Sequence, residues 1–549
     1  MRRRRDPSRA RRWRTAIGAL LTPAALCFVW FALTAPDDAA DLTPGHFLRL
    51  PLEALVLVAA LLVVGRRVRR VLAVVTGLLL GVLVLLKLLD MAFLATLDRP
   101  FDTVVDWRYL GPLTGLVVDS VGRAAGVGVV GAVSLIVVIL LLLGPWAVLR
   151  LTRVLVMHPR TSRRGAAGLA AAWVVLAALG VSVASAGPVA STSASTYAWG
   201  QVVRVPRELH DEQAFAEATV HDPLSRAPSD RLLAALRGKD VLFVFVESYG
   251  RVAVQGSSMA PSVDRALETG TRRLRSAGFS SRSAFLTSPT YGGISWLAHS
   301  TLQSGLWVDS QQRYGVLLHS HRSTLSRAFH RAGWRTVSDV PANTHAWPQG
   351  RFYGYDTFYD SRNVGYAGPR FGYPTMPDQY TLDAFGRREL TPGPRPPVMA
   401  EIDLVSSHAP WSRTPHLVDP ATVGDGSVFD GMPQHSPSKA VVWRSPQRVR
   451  AAYGASIRYS MSALVSFVRR YGDRDTVVVA LGDHQPAGIV SGAHAGHDVP
   501  VSVIARDPAV LRRISGWGWQ DGLRPRPDAP VWRMDSFRDR FLSTFGGSH

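Results

Sequence analysis

Two patterns of apolar positions divide the 549-residue chain. In its first third, nearly uncharged runs recur near 15–34, 47–65, 71–94, 125–149 and 166–186. Each is long enough, at 1.5 Å per residue, to cross about 30 Å of hydrocarbon as a helix. Past about residue 230 the runs shorten to strand length and alternate with stretches of helical period. The spacing predicts strands over 241–246, 335–340, 398–405, 476–481 and 499–505, and helices over 325–332 and 448–471. Strand and helix in alternation predict an α/β domain with a central, mostly parallel sheet covered by helices on both faces.

Charge orients the apolar part. Arg2–Arg5 with Arg9, Arg11, Arg12 and Arg14 precede the first run, Arg66, Arg67, Arg69 and Arg70 follow the second, and Arg150, Arg153, Arg160, Arg163 and Arg164 follow the fourth. The alternate loops carry Asp37, Asp38 and Asp41, then Asp98, Asp102 and Asp106. The positive-inside rule therefore predicts five spans, a cytoplasmic amino terminus, an uncleaved first span and an extracellular domain after about residue 187. Much of the net charge of +21 is then a topology signal, and no nucleic-acid partner is needed to explain it. Arg49, Glu53, Lys87 and Asp90 lie within the runs but towards their outer ends, where side chains can snorkel, which argues against a transport pathway. The single cysteine, Cys27, falls in the first run, so the outer domain has no disulfide. The expected division is a membrane domain over 1–187, a polar juxtamembrane linker over 188–238 with a helix around 208–219, and a catalytic domain over 239–546.

Candidate chemistry gathers at predicted strand ends. The run 476–481 leads into Gly482-Asp483-His484, and the run 241–246 leads into Glu247. Open α/β sheets bind ligands beyond the carboxyl ends of their strands, and two carboxylates with an imidazole there form a metal-ligand set. Ser295 follows Gly292-Gly293-Ile294 where a helix would begin, so its hydroxyl faces free amides suited to a phosphoryl or sulfuryl group. The plainer reading is a helix cap. His408 and His497 also fall at strand ends or turns and complete the constellation.

These residues resemble those of the alkaline phosphatase and sulfatase superfamily, and within it the lipoteichoic acid synthase-like and phosphoethanolamine transferase-like membrane enzymes. Ser295 lies ten residues before Gly305, the register of the sulfatase nucleophile and its helix-ending glycine. The resemblance implies a sulfatase-like fold, with Glu247, Ser295, Asp483 and His484 as metal ligands and Ser295 as the nucleophile. His408, in Ser-Ser-His-Ala-Pro, is similar to a substrate-binding histidine, Trp347 and Arg351 resemble a Trp and Arg that hold glycerophosphate, and His497 is similar in place to a histidine near the leaving group or a second ion. Two departures stand out. Gly-Gly-Ile-Ser-Trp replaces the synthases' Gly-Lys-Thr-Ser-Asp, leaving Thr290, Ser300 and Thr301 as alternative nucleophiles, and the sulfatase Cys-x-Pro-x-Arg is absent.

The implied activity is transfer of a phosphoglycerol-type head group from a membrane phospholipid to an envelope glycan or polymer, through a serine-linked intermediate. The implied cofactor is one divalent ion, manganese foremost, with zinc or magnesium as alternatives. The other readings are an extracellular phosphodiesterase or sulfatase, and a non-catalytic domain that binds the envelope.

Overall fold

The computed structural model describes residues 7–547 except 40, 110–122, 184–186, 224, 226, 392 and 493–494. The Arg2–Arg5 run and the end of the fifth apolar run lie outside the described residues. The chain forms two compact units, one of Met1–Ala95 with Arg99–Leu209, the other of Thr96–Asp98 with His210–His549.

The first unit is helical: α1 (Pro7–Thr34), α2 (Leu52–Val63), α3 (Arg66–Leu97), α4 (Arg123–Met157) and α5 (Pro159–Ala178). Among the described residues, two helices, α3 and α4, are long and apolar enough to cross a membrane, and the apolar parts of α1 and α2 are shorter. Two of the predicted spans are shortened for local reasons, while α1 covers the whole of the run expected over 15–34. The run expected over 47–65 gives a helix only from Leu52, because residues 44–51 form a 3-10 turn and a short strand with Pro44 and Pro51. The run expected over 166–186 stops at Ala178, before the left-handed Gly180 and an extended Ser182–Val183. Nor do Lys87 and Asp90 snorkel. Lys87 Nζ donates to Ala32 and Ala35 carbonyls at 3.1 and 2.6 Å, and the Asp90 carboxylate accepts from Phe101 N and Tyr197 OH. Both are buried, their charges satisfied inside the helical unit. Helix α6 (Ser193–Val220) follows, longer than the helix expected around 208–219.

The second unit is built on a nine-stranded sheet. Its strands are β1 (Asp240–Val246), β2 (Ser280–Thr287), β3 (Arg335–Val340), β4 (Thr357–Asp360), β5 (Val398–Leu404), β6 (Thr476–Gly482), β7 (Asp498–Ala505), β8 (Gln520–Asp521) and β9 (Val531–Arg533). They lie in the order β8-β2-β7-β6-β1-β5-β3-β4, with β9 paired to β2. From β6 to β4 neighbours run parallel, whereas β7 is antiparallel to both β6 and β2. The sheet is thus mixed, parallel through its larger part and antiparallel around β7 and β8. Among the described residues between β6 and β7 there is one short helical turn, Gly488–Ser491, and no crossover helix, in keeping with the antiparallel return of the chain.

β1 and β6 are buried along their whole length, which is why they read as continuous apolar runs. Their alternate residues feed two cores. Leu242 and Val244 pack with α7 (Ala260–Ser276) and α9 (Pro446–Tyr471) on one face. Phe243 and Phe245 pack with α8 (Ser295–Ser304) and α10 (Asp535–Phe545) on the other, where Phe537 and Phe541 meet Phe243 edge-on. From α10 the fully buried Arg538 reaches Asp222 with two hydrogen bonds of 2.9 and 3.1 Å and the Ser323 carbonyl with a third.

Candidate active site

The register of β1 against β6 sets the site. Leu481 lies beside Phe245 and Gly482 beside Val246, so the next residues, Asp483 and Glu247, leave the sheet at one height. At Gly482 no side chain fits: a Cβ there would lie 2.0 Å from the Tyr249 carbonyl oxygen. Glu247 is followed by Ser248 and Ser295 preceded by Ile294, both with positive φ (57° and 63°). Left-handed backbone at a β-branched residue costs on the order of 1–3 kcal/mol and persists where surrounding structure enforces it.

Ser295 opens α8, and its Oγ lies 3.2 Å from Glu247 Oε2 and 3.3 Å from His484 Nε2. His484 Nε2 is also 3.3 Å from Glu247 Oε1 and 3.5 Å from Asp483 Oδ2. Four donors at 2.0–2.2 Å from a tetrahedral ion stand about 3.3–3.6 Å apart, so this set fits a divalent cation. The supporting shell aims each donor. Asp483 Oδ1 accepts from the backbone N–H groups of Ser248 and His484, leaving Oδ2 for the site. His484 Nδ1 bonds the Gln485 carbonyl at 2.8 Å, an acceptor that requires the proton on Nδ1 and turns Nε2 towards Ser295. Ser407 Oγ donates to the Glu247 carbonyl and Ser288 Oγ to the Asp483 carbonyl.

Charge in the cluster is shared. Burial raises Asp483, and the neighbouring Glu247 adds to the effect, to about 6. Burial opposes the charge on His484, but Asp483 and Glu247 outweigh it and hold the imidazole protonated up to about 9. Burial also opposes the charge on Glu247, yet His408 and His484 keep it well below the usual carboxylate range. A divalent cation would take the place of the His484 proton.

The other predicted residues are placed unevenly. His408 is half-buried, stacks on Tyr373 at 3.7 Å and faces Glu247 electrostatically. His497 is partly exposed, its ring 5.6 Å from that of Tyr291. Trp347 packs on Tyr353, whose hydroxyl meets Ser300 Oγ on α8, one layer away from the four donors. Arg351 is exposed, and no ion pair ties it to the cluster among the described residues. The alternative hydroxyls are committed elsewhere: Thr290 to the Gly293 carbonyl, Ser300 to the Trp296 carbonyl, and Thr301 to the Val308 N–H.

Two features of the site lie outside the motifs at the strand ends. Gln485 is buried and joins three loops: its Oε1 accepts from Val252 N, its Nε2 donates to the Ala495 carbonyl, and its own carbonyl accepts from Gly292 N. Nothing in the pattern marks a glutamine for that role. His299, Glu401 and Asp403 form a second His/carboxylate cluster, and the acidic pair at alternate positions of an apolar strand was its sequence signal.

Residues 239–501 match the protein-family model Sulfatase. No curated protein matches the chain in sequence. Solved structures with similarity include the lipoteichoic acid synthase LtaP of Listeria monocytogenes (15% identity, 58% of this chain and 74% of that one, TM-score 0.37). They also include the phosphoglycerol transferase GacH of Streptococcus pyogenes in complex with sn-glycerol-1-phosphate (14%, 61% and 80%, 0.37). A third is the C-terminal periplasmic domain of EptC from Escherichia coli in complex with zinc (14%, 57% and 84%, 0.36). The family match covers these strands and their terminal ligands, so residues 239–501 form a sulfatase-type domain, of the kind found in enzymes that hydrolyse or transfer esters.

Proposed function

We propose that the chain is a membrane-anchored, metal-dependent phosphotransferase that moves a phosphoglycerol-type head group from a phospholipid to an envelope glycan or polymer. The observation that carries this reading is the Ser295 hydroxyl at a helix start, within 3.3 Å of both a carboxylate and an imidazole. In this reading residues 1–187 are a five-helix membrane domain with a cytoplasmic amino terminus, 188–238 a linker and 239–546 the extracellular catalytic domain. The membrane part keeps the site near lipid-borne donors.

Glu247, Ser295, Asp483 and His484 would hold the ion, manganese foremost and zinc or magnesium next. Such an ion lowers the pKa of a serine hydroxyl and stabilises charge on phosphoryl oxygens. Ser295 Oγ then attacks phosphorus, the bond to the lipid alcohol breaks, and His408 gives that alcohol its proton. An acceptor hydroxyl, giving its proton to the now neutral His408, attacks the Ser295 phosphodiester in turn, and the bond from phosphorus to Ser295 Oγ breaks. The free amides at the start of α8 face the phosphoryl oxygens. Trp347, Arg351 and His497, with His408, are assigned to the head group and its leaving side.

The test is the mass of the Ser295 peptide after manganese-loaded protein meets phosphatidylglycerol and is quenched in acid. A glycerophosphoryl adduct on Ser295 is expected. An unmodified peptide with free head group accumulating in solution would overturn transfer in favour of ester hydrolysis.

A further inference from the structure

We propose that His299, Glu401 and Asp403 form a second divalent-cation site, for zinc or manganese, one helical turn along α8 from Ser295. Ser295 and His299 stand four residues apart and share a face of the helix. Glu401 and Asp403 stand two apart on β5, opposite Phe243 and Phe245, and so share the sheet face that α8 covers.

The geometry is that of a ligand set. His299 Nδ1 lies 2.9 Å from Glu401 Oε1 and 3.6 Å from Asp403 Oδ1, and the three donor atoms lie within 4.8 Å of one another. Adjacent donors about 2.1 Å from one ion stand about 3.0 Å apart in an octahedron and about 3.4 Å apart in a tetrahedron, so the two histidine separations fall around these values. Each donor is also held in place. The His299 ring stacks on Phe245 with centroids 3.8 Å apart. Glu401 Oε2 accepts from Gln303 Nε2 at 2.5 Å and Tyr355 OH at 2.9 Å, which fixes the carboxylate plane and turns Oε1 inward.

A simple hydrogen bond from His299 to Glu401 accounts for the shorter contact but not for Asp403. Its Oδ1 is buried and has no hydrogen-bond donor among the described residues, and His299 Nδ1, at 3.6 Å with its one proton directed to Glu401, does not supply one. Buried carboxylate oxygens are ordinarily satisfied by a donor or a cation. Two carboxylates and a neutral imidazole balance a divalent charge, and mixed nitrogen and oxygen ligation suits zinc or manganese.

The experiment is metal stoichiometry on the full chain in detergent, stripped with chelator, reloaded with zinc or manganese and counted by elemental mass spectrometry. The wild type is expected to hold two ions, Asp483→Asn one, His299→Gln one, and the double variant none. Asp403→Asn, nearly isosteric, is expected to repeat the His299→Gln result and covers the case where that variant fails to fold. A wild type that saturates at one ion with both metals, lost in Asp483→Asn and kept in His299→Gln, would overturn the second site. That outcome leaves the Ser295 site standing, so the two readings fail separately.

Discussion

The Ser295 cluster and the His299 cluster are made of the same materials. Each joins two carboxylates to one imidazole, each draws on α8 and on strands at the centre of the sheet, and each is largely shut away from solvent. They differ in what else is present. The first holds a hydroxyl at a helix start, with a proton to lose and amides beside it, while the second has its Glu401 tied down by a glutamine and a tyrosine and offers no nucleophile. On the proposed reading, burial and ligand type are enough to hold a cation at either cluster. Chemistry needs, in addition, an oxygen whose reactivity the cation changes.

The sharpest way to break the comparison is to remove that oxygen. Ser295→Ala should lower transfer by about three orders of magnitude or more, as loss of an activated nucleophile does, while His299→Gln should fall far short of that. Comparable losses in a steady-state head-group release assay would erase the distinction. Next in size, Asp483→Asn should abolish the ion needed for activity, and added manganese should not restore turnover. Full rescue by metal would show that Asp483 is not a ligand. Gln485→Ala should weaken metal binding at the Ser295 cluster about 10–100-fold through loosened loops, as loss of an outer-shell partner does, with Gln485→Glu restoring little because Ala495 loses its donor. Titration with a competing chelator measures both.

A smaller effect probes the Ser295 cluster by pH. An ion binds the Ser295 cluster only as His484, held protonated up to about 9, gives up its proton, and as Asp483, raised to about 6, is ionised. Affinity should therefore rise with pH between those values, by about tenfold per unit where one proton is displaced. Flat affinity between about pH 6.5 and about pH 8.5 would mean that His484 binds no proton there. Smallest of all, Tyr355→Phe removes one of two bonds to Glu401 Oε2 and should weaken only the second ion, by less than about tenfold.

Much of this was legible because chemistry follows unbroken apolar runs. The strands that carry Glu247 and Asp483 are buried on both faces, and their sequences show it within a residue of the observed ends. Other elements gave no such signal. β2 begins Ser-Ser-Arg-Ser and became a strand through pairing with β7 and β9, and the antiparallel direction of β7 is a property of the connection rather than of any strand. In the membrane runs composition marks apolar length, but not that one helix starts only after Pro51 and another stops ahead of Gly180. Gln485 was invisible because its role lies in three loops far apart in the chain.

The reach of Arg538 decides how much of the chain the catalytic domain requires. Its guanidinium joins Asp222 to the segment ahead of Leu325, and its helix puts Phe537 and Phe541 onto Phe243 of the central strand. Both partners of that pair lie beyond the 239–501 segment by which the family is recognised. A fragment cut at those limits would bare the aromatic face beneath β1 and α8 to water. A fragment that keeps this face covered is therefore expected to start ahead of Asp222 and run through Phe545.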